Sequence, residues 1–123
     1  MLNRIVIIGR LTRDPEMRQT PSGTAVCTFT LAVDRSFKSA NGERETDFIP
    51  VVAWRQLGEN CAQYLAKGKL AAVDGRLQIR TYQAQDGSKR TAAEVFADNV
   101  GFLSPKSDHG DVTLAPPLDD IPF

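Results

Sequence analysis

Between Asn3 and Leu103 the apolar side chains recur mostly with a period of two, and a single segment breaks that rhythm. Alternate residues of an extended chain face opposite sides, so the pattern commits most of the chain to β-sheet. "NRIVIIGRLTR" is a dense β-branched run, suited to a strand covered on both faces. In "TAVCTFTLAVD", Cys27, Phe29, Leu31 and Val33 alternate with Thr28, Thr30, Ala32 and Asp34, which predicts a half-buried strand. The polar "RSFKSANGERETD" carries Asn41-Gly42, a strong hairpin signal. "FIPVVAW" resumes as a strand, in which Pro50 has no N–H to give a ladder and implies an edge or a bulge. "LAAVDGRLQIRTYQ" and "KRTAAEVFADNVGFL" are two further strands, joined through Gln85-Asp86-Gly87.

The exception is "QLGENCAQYLAKG". Leu57, Cys61, Tyr64 and Leu65 recur there at helical spacing, Tyr64 among the core residues, and Gly68 stands where a left-handed helix end takes glycine. The order is three strands, one helix, two strands. It predicts an all-β chain, a five-stranded OB-fold barrel with one helix between strands 3 and 4. At 123 residues there is material for one such core and hardly two.

The formal net charge of zero hides a division. Residues 1–103 hold 14 Lys and Arg against 11 Asp and Glu, whereas residues 104–123 hold Lys106 against Asp108, Asp111, Asp119 and Asp120. "SPKSDHGDVTLAPP" has no periodicity and three prolines, so a disordered acidic C-terminal tail is expected. The expected organisation is a folded domain over 1–103, a flexible linker over 104–115 and a separate tip over 116–123, "PPLDDIPF". A basic body with an acidic tail suggests two jobs.

Several classes are disfavoured. No run approaches the roughly 20 apolar residues of a membrane helix, and the apolar start ends at Arg10 and Arg13 without a small-residue cleavage site, so a cytoplasmic protein is expected. Cys27 and Cys61 sit among apolar neighbours with no CxxC spacing, and read as buried free thiols. The lone His109 and the lack of a Cys/His cluster give no metal site, and no cofactor is expected. There is no GxxxxGK cradle and no converging acid, base and nucleophile; Glu43, Glu45 and Asp47 read as a solvated hairpin rather than a Mg2+ site. Catalysis is not expected.

The aromatic residues carry the functional signal. Phe29 lies on the apolar side of its strand and reads as core. Phe37 stands in "DRSFKS" between Arg35 and Lys38, where the hairpin has no core face. Phe48 and Trp54 share one side of the third strand. Tyr82 shares parity with Arg76, Gln78 and Arg80, opposite Val73, Leu77 and Ile79. Arg55 and Lys67 add to the cationic set. Aromatic rings interleaved with Arg and Lys suit single-stranded nucleic acid: bases stack on rings for roughly 1–3 kcal/mol each, while cations follow phosphates without reading sequence.

The chain resembles the bacterial single-stranded DNA-binding proteins over essentially its whole length. The residues that carry the likeness run from "NRIVIIGRLTRDPEMRQTPSGTAVCTFTLAVDRSF" through "DFIPVVAWRQLGENCAQYLAKG" and "VDGRLQIRTYQAQDG" to "LDDIPF". The resemblance implies an OB-fold assembled as a homotetramer, with single-stranded DNA on its surface during replication, recombination and repair in a nucleoid-associated setting. It places base-stacking rings at Phe37, Phe48, Trp54 and Tyr82. It also implies that Asp119, Asp120, Ile121, Pro122 and Phe123 recruit replication, repair and recombination proteins. The acidic tip is expected to rest on the basic face until a strand displaces it. A primosome-type accessory or an RNA-binding module on the same fold is the alternative, separable by preference for DNA over RNA and for single strands over duplex.

Overall fold

A computed structural model describes residues 1–38 and 40–104, apart from the side chains of Phe37 and Lys38. Expectations for residues 105–123, the tip included, therefore fall outside the described residues, as do those for the side chains of Phe37 and Lys38.

Among the described residues six strands and one helix follow in order: β1 (Ile5–Leu11), β2 (Glu16–Gln19), β3 (Ala25–Lys38), β4 (Arg44–Trp54), α1 (Arg55–Tyr64), β5 (Leu70–Gln83) and β6 (Lys89–Phe102). Five of the strands close a ring, β1–β5–β6–β4–β3 and back to β1 through Arg10↔Ala32 and Leu11↔Leu31. This is the expected five-stranded barrel with its helix between the third and fourth predicted strands, here β4 and β5. The added strand, β2, is a four-residue hairpin partner of β3 and exposed throughout. Nothing in "EMRQ" alternates between apolar and polar, so periodicity could not find it.

Alternation in β3 and β4 becomes a wall of the core. Cys27 pairs with Ala53, Phe29 with Val51 and Leu31 with Ile49, and the first five of these six are buried. Ala71 and Val73 of β5, Val95 of β6, Leu11 of β1, and Cys61 and Leu65 at the helix complete the interior. Both cysteines are free and fully buried, as expected. Burial pushes the Cys61 thiol up to about 12, with Cys27 nearby adding to the shift, and burial raises Cys27 as well. β4 gains its second neighbour only at Val51, where it pairs in parallel with β6. Pro50 therefore stands on the part of β4 that is still an edge, where a missing N–H is tolerated.

Three local expectations need correction. The helix ends at Tyr64, and Leu65, already extended, gives its N–H to Cys61 O at 2.9 Å. Gly68 does adopt φ +85°, but in a separate turn closed by Lys69 N–H to Ala66 O at 3.0 Å, and does not cap the helix. Tyr64 is not core: it is 51% exposed at the last residue of α1 and meets Phe102. Finally, β1 is not covered on both faces within one chain, since Val6 remains 47% exposed.

Candidate nucleic-acid interface

The side of the sheet turned away from the core is built from the other half of the same alternation. On β4 it presents Phe48, Pro50, Val52 and Trp54, opposite Ala32, Thr30, Thr28 and Val26 of β3. On β6 it presents Glu94 and Phe96, and on β5 Arg76, Gln78, Arg80 and Tyr82, because Arg76 pairs with Phe96, Gln78 with Glu94 and Tyr82 with Arg90. Trp54 and Phe96 join the two groups, their ring centroids 6.3 Å apart at 38°. Phe48 is 65% exposed with no ring against it among the described residues. Single large hydrophobes left in water in this way suit a ligand with a π-face.

One device fixes the β5–β6 end of this surface. The ladder shifts register between Asp74 and Gly75, where Asp98 of β6 is the extra residue. Gly75 permits the close approach, since a Cβ there would lie 2.1 Å from Phe96 O. Around the bulge, Arg4 binds Asp74 at 2.7 Å and Asp98 at 2.8 Å, and Arg76 lies 3.5 Å from Asp98. Arg76, half exposed, thus stands next to Asp98 and across from Phe96.

The cations nominated from sequence divide into two sets. Arg80 gives its Nε–H to Glu94 Oε1 at 2.9 Å while its guanidinium lies 5.4 Å from the centre of the Tyr82 ring. Arg35 forks onto Asp47 with two bonds of 3.0 Å and reaches Glu45 at 2.7 Å. This guanidinium holds the Asp47 carboxyl below its ordinary range, and the carboxylates push Arg35 up. Its partners Glu45 and Asp47 alternate with Phe48 along β4, so the structure does not bring Arg35 to the face of Phe48. Arg55 and Lys67, by contrast, have no ion pair among the described residues. Arg55 follows Trp54 with φ +59°, a left-handed conformation in which a non-glycine residue is strained. Lys67 donates its backbone N–H to Asp14 Oδ1 at 2.9 Å, which ties its turn to the β1–β2 connection.

Beside Pro50 the surface sinks into a groove of about 300 Å³. Thr28, Thr30, Val52 and Glu94 line it, with Arg13 and Arg18 at its side. Sequence reasoning missed Phe96 and both arginines. Phe96 was visible in principle, since it shares parity with Glu94 across from buried Val95. Arg13 and Arg18 were not, because they lie in and beside the non-alternating β2. Among the described residues no three His, Cys, Asp or Glu side chains are grouped to hold a metal ion, and no helix is long and apolar enough to cross a membrane.

The profile of the Single-strand binding protein family matches residues 2–103. The chain is 55% identical over 111 residues to the single-stranded DNA-binding protein of Bacillus cereus strain ATCC 14579, covering 90% of this chain and 65% of that one. It is 57% identical over 110 residues to single-stranded DNA-binding protein A of Bacillus subtilis strain 168, covering 89% and 64%. With single-stranded DNA-binding protein 2 of Staphylococcus aureus strain Mu50 it shares 58% identity over 107 residues, 87% and 76% of the two chains. The matches thus span just under two-thirds of the two Bacillus proteins.

Proposed function

Since the chain belongs to the single-strand binding protein family, we propose that it binds and protects single-stranded DNA without sequence preference. The observation that carries this reading is the outer face, where Phe48, Trp54 and Tyr82 are exposed among arginines. Rings accept any base, and cations track the phosphates. Phe37 and Lys38 lie at the end of β3, beyond Phe48's partner Ala32, and would extend the same path. Trp54 is the sole tryptophan, so a base stacking on it quenches the intrinsic emission on titration with oligothymidine. Unchanged emission at saturation would remove Trp54 from the site.

The proposal extends to a homotetramer. Residues 5–9 of β1 pair with β5 on one side only, because β3 joins β1 at Arg10 and Leu11 alone. An open edge with exposed Val6 invites a second β1. Ile7 packs partly against the core, so Val6→Asp is the cleaner probe. It leaves the fold and shifts sedimentation to smaller species; an unchanged sedimentation coefficient would sink the pairing.

The tip, with Asp119, Asp120, Ile121, Pro122 and Phe123, would recruit replication, repair and recombination proteins. An acidic stretch cannot favour a polyanionic ligand, so its task is separate. Removing residues 116–123 leaves strand affinity equal or slightly higher and abolishes capture of partner proteins. Lost strand affinity with retained partners would overturn the division of labour.

A further inference from the structure

The backbone ladder between β1 and β5 ends at Ile5↔Gly75. Continued by two residues, the same register sets Asn3 opposite Leu77, and there the contact resumes through a side chain. Asn3 Nδ2–H donates to Leu77 O at 2.8 Å, and Leu77 N–H donates to Asn3 Oδ1 at 2.9 Å. A carboxamide offers a donor and an acceptor side by side, as a strand's backbone does. Asn3 therefore supplies one further rung after β1 has stopped.

That rung sits at the root of the β5–β6 ribbon. On its other side Leu77 pairs with Val95, and Val95 is the last residue of β6 in that direction to be held by β4, through Val51. Toward Tyr82, the ladder joins β5 and β6 to each other alone. Just before the root comes the bulge at Asp74, Gly75 and Asp98, where a ladder can bend and twist. Arg4 is committed to the bulge itself, to Asp74 and Asp98. Among the described residues the Asn3 side chain is thus the clasp on the β5 edge beyond the bulge.

The clasp is no part of the core, since Asn3 is exposed and Leu77 is 39% exposed. Its effect is geometric. Tyr82 stands five residues further along β5, about 17 Å away at the rise of a strand. A tilt of about 10° at the root therefore moves that ring about 3 Å. Trp54, on β4, does not move with it. We propose that Asn3 is a positioning residue for strand binding. Its carboxamide fixes the angle at which the ribbon leaves the barrel, and so the span between Tyr82 and Trp54 across which one strand must stack. The inference rests on the reading of the outer face as the seat of the strand.

The test is a set of coupled substitutions in the full chain, read by oligothymidine titration of Trp54 emission. Asn3→Ala removes both bonds and lies outside the buried core. It should weaken binding about 3- to 10-fold, a fraction of the loss from deleting a stacked ring. The loss should recur in a Phe48→Ala background and vanish in a Tyr82→Ala background, because Asn3 acts only through the ring that the ribbon carries. Without DNA, residual dipolar couplings of the ribbon amides of Asn3→Ala should no longer fit one rigid frame with those of the barrel. Parent affinity in Asn3→Ala, or an equal loss with and without the Tyr82 ring, would overturn the proposal. So would a lower melting temperature with affinity and couplings unchanged, the mark of a merely structural bond. A changed sedimentation coefficient in Asn3→Ala would assign the loss to assembly instead. If Tyr82→Ala weakened binding and Asn3→Ala did not, this inference alone would fall; if Tyr82→Ala bound like the parent, the reading of the outer face would fall with it.

Discussion

Residues 70–75 and 76–83 share one strand, β5, and a closely similar alternation, but they meet opposite fates. The first half reads intermediate at Leu70 and Asp74 and buried at Ala71, Ala72, Val73 and Gly75; every residue of the second half is exposed. Val73, Leu77 and Ile79 have the same parity, yet they are 0%, 39% and 66% exposed. The cause is the number of neighbours. Up to Gly75, β5 lies between β1 and β6; from Arg76 onward it has β6 alone, and beyond Leu77, where β6 also leaves β4, the pair projects as a two-stranded ribbon. Alternation therefore states which side a residue faces, and barrel closure decides whether that side is dry. A ribbon wet on both faces contributes little to the core, which keeps Arg76, Arg80 and Tyr82 at the surface rather than in its packing.

The hardest test of this contrast places the same charge in both halves. Val73→Asp buries an uncompensated carboxylate at a cost of several kcal/mol, comparable to the whole stability of a small domain, about 5–15 kcal/mol. That variant is expected not to fold. Ile79→Asp should keep the native circular dichroism and melt within about 0.5 kcal/mol of the parent stability. If Ile79→Asp also lost the fold, the ribbon would not be independent of the core.

The barrel interior makes a second, graded demand through its thiols. Burial raises Cys61 from 9.0 to about 12 and raises Cys27. The folded state thus holds protons that the unfolded state releases above about pH 9. The corresponding stability is complete below pH 9 and is lost as pH climbs toward 12. For Cys61 the fall reaches about 1.4 kcal/mol per pH unit. Urea midpoints measured from pH 8 to 10.5 should decline, and Cys61→Ala should flatten the decline even though it lowers the starting value. Thiol reagents should react only after unfolding. Rapid labelling of the native protein would show that the barrel opens where β5 predicts it is closed.

How much of this was legible follows from the same neighbour argument. Buried Cys27, Phe29 and Leu31 followed directly from period two, and Val33, of the same alternation, packs partly buried against them. Phe48 and Trp54 were legible as sharing one side of their strand and Tyr82 as a ring on a polar side, and the structure leaves all three exposed. Tyr64 was misread because a helix of ten residues offers only a narrow stripe: Cys61 in the last turn is buried, whereas Tyr64, the final helical residue, falls beside that stripe and stays exposed. The pairing of Arg35 with Glu45 and Asp47 could not be read, because a residue spacing of 10–12 across a hairpin depends on register near a shift between Asp34 and Lys38.

Ring substitutions sharpen the comparison at the level of about 1–3 kcal/mol. Trp54→Ala and Tyr82→Ala, one at the barrel and one on the ribbon, should each weaken oligothymidine binding by that amount if one base stacks on each. Tyr64→Ala, an equally exposed aromatic away from the face, should leave strand affinity unchanged. A loss there equal to that of Tyr82 would mean that the strand path crosses the helix end.

The smallest effect separates the two sets of cations. Each phosphate neutralised on a single strand contributes about 0.7 to the slope of log affinity against log salt. Arg55 has no ion pair among the described residues, so a phosphate that meets it releases its counterion in full. Arg80 already holds Glu94 at 2.9 Å, and binding a phosphate there must share or exchange that carboxylate. Arg55→Ala is therefore expected to flatten the slope by about 0.7, and Arg80→Ala by less, with its affinity loss coming through the Tyr82 ring it covers at 5.4 Å. Glu94→Gln supplies the converse: freed of its carboxylate, Arg80 should steepen the slope toward a full contact. Titrations of the three variants between about 0.05 and 0.5 M salt decide the matter. Equal flattening by Arg55→Ala and Arg80→Ala, with no change in Glu94→Gln, would mean that the ion pair on the ribbon does not restrain its arginine, and that the paired and unpaired cations serve the strand alike.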